Sequence, residues 1–317
     1  VVGIGIGENF LASDLLALRL VTDRFGILEE GDVVAVTADA HRILNAVGQE
    51  VSRSVERIDV ALDDIDRGEY RHHMEKEIHE QPEVVRRTLE GRLARDHIME
   101  AAFGRNAKQV LDEVDGVTIV ACGTSYHAGL VAGYWFESIA GVPCSVEIAS
   151  EFRYREVMVR PKTLLLTISQ SGETADTLAA LRKAKQLGYA ATATICNVGT
   201  SAMVRESDLA VMLEAGVEVG VASTKAFTAQ IVVLLLVAIL VGRRHGLAKD
   251  REAELVDALH ALPDILEATL ELDGEIAELA EHLIDRRHAL FLGRGPLYPV
   301  ALEGALKLKE ISYIHAE

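Results

Sequence analysis

Thr163-Leu164-Leu165-Leu166-Thr167-Ile168-Ser169-Gln170-Ser171-Gly172-Glu173-Thr174 is the stretch whose reading decides the fold. Its first half is a short, continuous apolar run bounded by turn residues, the pattern of a strand buried on both faces. Its second half gathers hydroxyl and amide side chains around a glycine and leads into a helical stretch over 174–187. The same plan stands upstream: an apolar strand over 117–121, a Gly123-Thr124-Ser125 turn, then a helix over about 126–140. Strands are also predicted over 191–196 and 209–213. Apolar strands alternating with helices predict an α/β fold, a doubly wound parallel sheet covered on both faces.

Outward from this unit the pattern changes twice. Residues 1–62 alternate β-rich runs with turns: a strand over 32–37 follows Glu29-Glu30-Gly31, and Ser13 or Asp14 offers an N-cap before Leu15. Residues 63–107 shift to charge and read as a helical linker over 72–93 with one break at Pro82. The α/β unit occupies 108–250. Residues 251–317 hold two helices between 252 and 287, a new strand over 289–293 ending in Gly-x-Gly, and a helical pattern that runs to the last residue without a cap. A second copy of the α/β unit is therefore expected to begin near the end. The opening, Val1-Val2-Gly3-Ile4-Gly5, reads as strand interior rather than as a leader. The chain is expected to be a piece of a longer protein.

Apolar residue types make up 49% of the chain and charged types 26%, a well-cored globular composition. With 49 Asp and Glu against 32 Lys and Arg the net charge is -17, which opposes binding to nucleic acid or to an anionic membrane. Any anionic ligand must be held by local dipoles and donors. Cys122, Cys144 and Cys196 are too scattered for a disulfide framework or a zinc site and fit a reducing cytoplasm. The apolar run 231–241, even extended back to Ala226, gives a helix of about 24 Å against a hydrocarbon core of about 30 Å. It reads as a buried core or subunit-interface helix.

In a doubly wound sheet, ligands bind beyond the carboxyl ends of the strands. Both loops there, Cys122 to Ser125 and Ser169 to Thr174, set small hydroxyl residues at a helix start, where free N–H groups and the helix dipole favour a phosphate. Gly172 is expected to let the backbone approach that ligand closely. Neither loop carries a lysine or the P-loop pattern, which argues against nucleoside triphosphates. For Gly-Thr-Ser alone, simple helix capping explains the residues as well. Ser169, Gln170, Ser171 and Thr174 exceed the needs of one cap.

Four motifs in order, Ala121-Cys122-Gly123-Thr124-Ser125-Tyr126, Ser169 to Thr177, Val221-Ala222-Ser223-Thr224-Lys225-Ala226-Phe227 and Leu302-Glu303-Gly304-Ala305-Leu306-Lys307-Leu308-Lys309-Glu310, resemble the sugar isomerase (SIS) half of the isomerising glutamine–fructose-6-phosphate aminotransferases. Residues 7–14 and 28–32 resemble the end of that family's α+β N-terminal-nucleophile glutaminase domain. The resemblance implies the end of a glutaminase domain over 1–62, a first SIS domain over 108–250 and the start of a second. It also implies phosphate and sugar contacts at Thr124, Ser125, Ser169, Gln170, Ser171 and Thr174, with Val221 and Ser223 closing the sugar pocket. Glu303, Lys307 and Glu310 are spaced i, i+4, i+7 and share one helix face. By the resemblance Glu310 is the base that moves a proton between C1 and C2 of the sugar, and Lys307 its partner for the developing enolamine charge.

The implied reaction converts fructose 6-phosphate, with ammonia from glutamine, into glucosamine 6-phosphate, in a cytoplasmic homodimer without metal or organic cofactor. The family's nucleophilic Cys, ring-opening His and Schiff-base Lys fall outside this sequence. A phosphosugar-sensing SIS module and a deglycase-like SIS enzyme are the alternatives; neither needs both the Glu303-Lys307-Glu310 face and a glutaminase remnant. Gly3-Ile4-Gly5-Ile6-Gly7 lacks the spacing of a dinucleotide fingerprint. His72, His73 and His79 with Glu75 and Glu77 read as a solvated linker face rather than a metal site. Glu218 is either a loop carboxylate near the sugar or plainly solvated, and His127 is given no role.

Overall fold

The computed structural model describes residues 1–12, 16–19, 21–57 and 66–317. The chain divides into two compact units, Val1–Gly68 and Glu69–Glu317. In the first, β1 (Val2–Ile4), β2 (Asn9–Leu11), β3 (Arg24–Gly26), β4 (Val33–Val36), β5 (His41–Leu44), β6 (Glu50–Val51) and β7 (Val55–Arg57) form two antiparallel sheets, ordered β2-β1-β3-β7 and β4-β5-β6. The turn before β4 is pinned by Asp32, which accepts the Glu29 N–H and two guanidinium N–H groups of Arg53, all at 2.8 Å. Those donors hold its carboxyl down at about 2. Ser13 and Asp14 lie outside the described residues.

The second unit opens with α1 (His73–His79), α2 (Gln81–Leu89) and α3 (Ala107–Asp112). The α/β layer then runs β8 (Gly116–Ala121), α4 (Gly123–Ser138), β9 (Cys144–Ile148), α5 (Ala149–Phe152), β10 (Thr163–Ser169), α6 (Ala175–Ala184), β11 (Ala191–Cys196), α7 (Ala202–Glu206), β12 (Leu209–Met212) and α8 (Lys225–Arg244). It ends in α9 (Lys249–Leu270), α10 (Asp273–Glu281), β13 (His288–Ala289), α11 (Leu297–Ser312) and β14 (His315–Ala316). Five parallel strands make the main sheet in the order β12-β11-β10-β8-β9. Every residue of β8 and β10 is buried. Alternate side chains enter opposite layers: Val117, Ile119, Ala121, Leu164, Leu166 and Ile168 pack toward α4 and α8, whereas Val120 and Leu165 pack with Phe152, Ala180 and Leu181. Burying such a Val, Leu or Ile side chain is worth roughly 1.5–3 kcal/mol, and the two central strands β8 and β10 supply both layers.

The 20-residue helix α8 is long and apolar enough to cross a membrane, yet 78% of its apolar window is buried inside the unit. Its end is fixed by Arg243, which ion-pairs Glu252 and donates to the Ile98 carbonyl at 2.6 Å, and by Arg244, which pairs with Glu100.

Four expectations are corrected, and one strand is added. The helix after β8 begins at Gly123, so Thr124 and Ser125 stand in its first turn rather than in a preceding loop. The linker breaks at Glu80, and Pro82 lies inside the first turn of α2, where its missing N–H costs nothing. Strand pairing near the end is confined to His288–Ala289 instead of 289–293. The last helix does not run to the terminus. The Ser312 hydroxyl donates back to the Leu308 carbonyl at 2.5 Å and accepts the Ile314 N–H, Tyr313 takes a left-handed φ of 58°, and β14 pairs in parallel with β13. The strand β9 went unread because its edge position gives it an alternating rather than continuous apolar pattern.

Candidate active site

Val120 of β8 pairs with Thr167 of β10, so the loops that follow these two strands leave the same edge of the sheet. In the β10 loop the Ser169 and Thr174 hydroxyls are 2.9 Å apart, Ser169 Oγ accepts the Gly172 N–H at 3.0 Å, and Ser171 Oγ accepts the Glu173 N–H at 3.2 Å. Thr174 occupies the N-cap position of α6, but its hydroxyl makes no capping bond. The first N–H groups of that helix keep their capacity for another acceptor. Glu173 turns away and accepts the Ala202 N–H at the start of α7 at 2.7 Å. Gly172 has φ +68°, and a Cβ there would lie 2.1 Å from Ser201 Oγ and 2.6 Å from Cys196 Sγ. Its lack of a side chain thus serves the loop's own packing.

On α4, Cys122 is the N-cap residue and likewise makes no side-chain cap. Ser125 is buried, and its Oγ accepts Gln230 Nε2 at 3.0 Å from the second turn of α8. The carbonyl of Gln230 is buried without a partner. Thr124 faces the other way and meets α11. Its hydroxyl donates to Glu303 Oε1 at 2.9 Å and accepts Lys307 Nζ at 2.9 Å. Lys307 also lies 3.3 Å from Glu303 and 2.6 Å from Glu310. Glu303, 5% exposed, is held on its second oxygen by His127 Nδ1 at 2.7 Å. One helix face thus delivers a carboxylate and an ammonium to the first turn of α4, with a second, part-exposed carboxylate, Glu310, on the ammonium. His127 entered this group unforeseen; the one sequence signal was its i, i+3 spacing from Thr124. A cleft of about 610 Å³ between α4 and α11 is lined by Tyr126, His127, Tyr298, Leu302 and Lys309, and by none of the candidate contact residues.

Val221 and Ser223 sit in the loop before α8. The Val221 side chain is fully exposed, and Ser223 donates to Glu218 Oε2 at 2.9 Å. Glu218 is not solvated: Oε1 accepts the Thr224 and Ala226 N–H groups at 2.9 and 3.1 Å. Burial pushes its carboxyl above the usual range, and these three donors oppose the rise. Glu77, expected on a solvated face, is 3% exposed and accepts the Val219 and Gly220 N–H groups at 2.6 and 2.9 Å. Lys225 is buried against Glu80 at 2.5 Å. Among the described residues, no hydrogen bond joins the three loops to one another through Gln170, Ser171 or Val221, and no group of three His, Cys, Asp or Glu could hold a metal ion.

The SIS domain family model matches residues 111–240. A glutamine–fructose-6-phosphate aminotransferase (isomerising) of Pseudomonas syringae is 58% identical over the whole of this chain, and one of Shewanella oneidensis is 56% identical. The solved C-terminal domain of the Francisella tularensis glucosamine-fructose-6-phosphate aminotransferase superposes with a TM-score of 0.78 at 50% identity, covering 80% of this chain and 71% of that one. The chain belongs to the isomerising glutamine–fructose-6-phosphate aminotransferase family. A glucosamine-6-phosphate deaminase of Thermotoga maritima shares the fold at 25% identity and a TM-score of 0.59. The family assignment spans both units, whereas the SIS match alone covers only the sheet and its helices. The chain spans about half (52%) of the length of the aminotransferases it matches.

Proposed function

We propose that this chain is the phosphosugar-binding and isomerising part of an aminotransferase that makes glucosamine 6-phosphate from fructose 6-phosphate and glutamine. Residues 1–62 form the end of the glutaminase domain that releases ammonia, and the whole enzyme is a soluble, cytoplasmic homodimer. The reading is carried by one observation: Lys307 lies between Glu303 and Glu310 and reaches the Thr124 hydroxyl, so the charged face of α11 meets the start of α4.

The phosphate sits among Ser169, Gln170, Ser171 and Thr174, where hydroxyl protons and the uncapped start of α6 supply donors in place of cations. The Ser125 hydroxyl and the first-turn N–H of Thr124, whose own hydroxyl proton goes to Glu303, extend the donor set on the neighbouring helix, and Val221 and Ser223 close the sugar side. Ammonia adds to the C2 ketone of the open-chain sugar, and loss of water leaves an imine. Glu310, the part-exposed member of the α11 face, takes a proton from C1; the electron pair moves to give an enolamine. The proton then returns at C2 while the C1 hydroxyl loses its own, leaving an aldehyde at C1 and an amine at C2. Lys307 offsets the charge that develops in the enolamine, and Glu303, fixed by Thr124 and His127, holds Lys307 in place.

The test is Glu310→Gln in the full-length protein, with fructose 6-phosphate binding and glucosamine 6-phosphate formation measured side by side. Loss of the base should lower turnover by roughly 10²–10⁴-fold while binding persists. Product formation at the wild-type rate would refute the assignment of the base.

A further inference from the structure

We infer that Glu77, on the helix α1 ahead of the α/β layer, is a positioning residue for the sugar side of the site. It acts by holding the Val219-Gly220 backbone and so setting where Val221 and Ser223 present themselves. The inference rests on the reading of Val221 and Ser223 as sugar contacts.

Three observations carry it. The two N–H groups of Val219 and Gly220 converge on one oxygen of Glu77, at 2.6 and 2.9 Å. The other oxygen is buried without a partner. A buried carboxylate with an unsatisfied oxygen is costly, and an apolar side chain of the same shape would avoid that cost but could not accept the two N–H groups. Gly220, in turn, is shaped to Glu77, because a Cβ at that position would lie 2.5 Å from Glu77 Oε2. The loop is tied at its far end by Glu218, which accepts the Ser223 hydroxyl and the Thr224 and Ala226 N–H groups. Between these two carboxylates lie only Val221 and Ala222, so their backbone has little freedom left. The helix start beyond is fastened to the same helical segment by Lys225 on Glu80 and by the Thr228 hydroxyl on Gln81 Oε1 at 2.6 Å. Glu77 and Glu80 lie one turn apart and Gln81 opens α2 beside them, so the junction of α1 and α2 reaches the loop and α8 together. None of these groups touches the Ser169–Thr174 loop among the described hydrogen bonds. Glu77 should therefore govern the sugar and not the phosphate.

The experiment uses Glu77→Ala, Glu77→Gln and Gly220→Ala in the full-length protein, with Ser169→Ala/Thr174→Ala as the phosphate-side reference. Binding of fructose 6-phosphate and, separately, of inorganic phosphate is titrated for each. Glu77→Ala should weaken the sugar phosphate about tenfold, the loss expected for one misplaced hydrogen bond, and leave inorganic phosphate unchanged. Glu77→Gln, whose amide oxygen still accepts both N–H groups, should stay within about twofold of wild type. Gly220→Ala, which displaces the same contact from the loop side, should follow Glu77→Ala. If Glu77→Ala does not fold, Gly220→Ala decides. Wild-type sugar binding in these variants while the reference double variant loses affinity would overturn the inference and leave the site reading intact. Wild-type binding in the reference as well would remove the site reading, and the inference with it. Equal weakening of both ligands would assign Glu77 a general structural role and also overturn the inference.

Discussion

Gly172→Ala tests the proposed phosphate loop, Ser169 to Thr174, at the point where its geometry is most constrained. Two separate costs arise. The residue has φ +68°, a conformation that costs an L-amino acid about 1–2 kcal/mol. The new methyl would also stand 2.1 Å from Ser201 Oγ, 2.5 Å from Ser201 Cβ and 2.6 Å from Cys196 Sγ. Ser201 is 2% exposed and Cys196 wholly buried, so neither can swing into solvent. Overpacking at such a site costs about 1–3 kcal/mol. Together these give about 2–5 kcal/mol, and at about 2–4 °C per kcal/mol for a unit of this size the melting temperature should fall by about 10 °C.

Function should follow, because the Gly172 N–H donates to Ser169 Oγ and its carbonyl accepts the Met203 N–H. Any shift that relieves the clash pulls Ser169 away from Thr174. Calorimetric melting with a fructose 6-phosphate titration reads both effects. Gly172→Asn separates the two costs: asparagine tolerates the left-handed backbone but brings the same Cβ. If Asn is as harmful as Ala, packing dominates; if it is nearly neutral, backbone conformation does. A Gly172→Ala protein that melts within 1 °C of wild type, with unchanged affinity, would refute the packing argument.

Replacing both Ser169 and Thr174 by Ala should cost about 2–4 kcal/mol of phosphosugar binding, since two charge-assisted hydrogen bonds are lost; unchanged affinity by titration calorimetry would remove the phosphate from this loop. Gln230→Leu should alter unfolding free energy by less than about 1 kcal/mol, because the lost Nε2–Ser125 hydrogen bond is offset by removal of a buried carbonyl that has no partner, while fructose 6-phosphate affinity falls severalfold as Ser125 is released. A large stability loss with normal affinity would contradict it. The raised carboxyl of Glu218 gives a pH signature. Between its ordinary value of 4.5 and its higher folded value, the folded state binds more protons than the unfolded one, so this group's contribution to stability declines as pH rises through that window and is constant above it. Urea unfolding of wild type and Glu218→Gln at several pH values should show the decline in the first only; identical pH slopes would argue against a buried, raised Glu218.

What could be read from the sequence divides by range. Strands β8 and β10 were legible because burial on both faces removes any need for polar residues, and the i, i+4, i+7 spacing alone puts Glu303, Lys307 and Glu310 on one face. Both features lie within a single element. Helix ends were less legible: Thr124 and Ser125 read as a loop because small hydroxyl residues suit a cap and a first turn equally, and Ser312 ends the last helix through a hydroxyl bond that competes with the backbone.

The supporting contacts were not legible at all. His127 meets Glu303 across 176 residues, Gln230 meets Ser125 across 105, and Glu77 meets Val219 across 142. No local pattern encodes such pairs, and in Glu77 the local pattern misleads. Its neighbours Glu75, Lys76 and Glu80 make the segment look solvated, and only its place one turn from Glu80 on the face turned to the loop buries it. The cost of that burial is offset by two backbone N–H groups that would themselves be unsatisfied without it. Charge along a helix therefore says little about which member faces inward; the backbone donors waiting on the neighbouring loop decide, and they enter the argument only when the fold has closed.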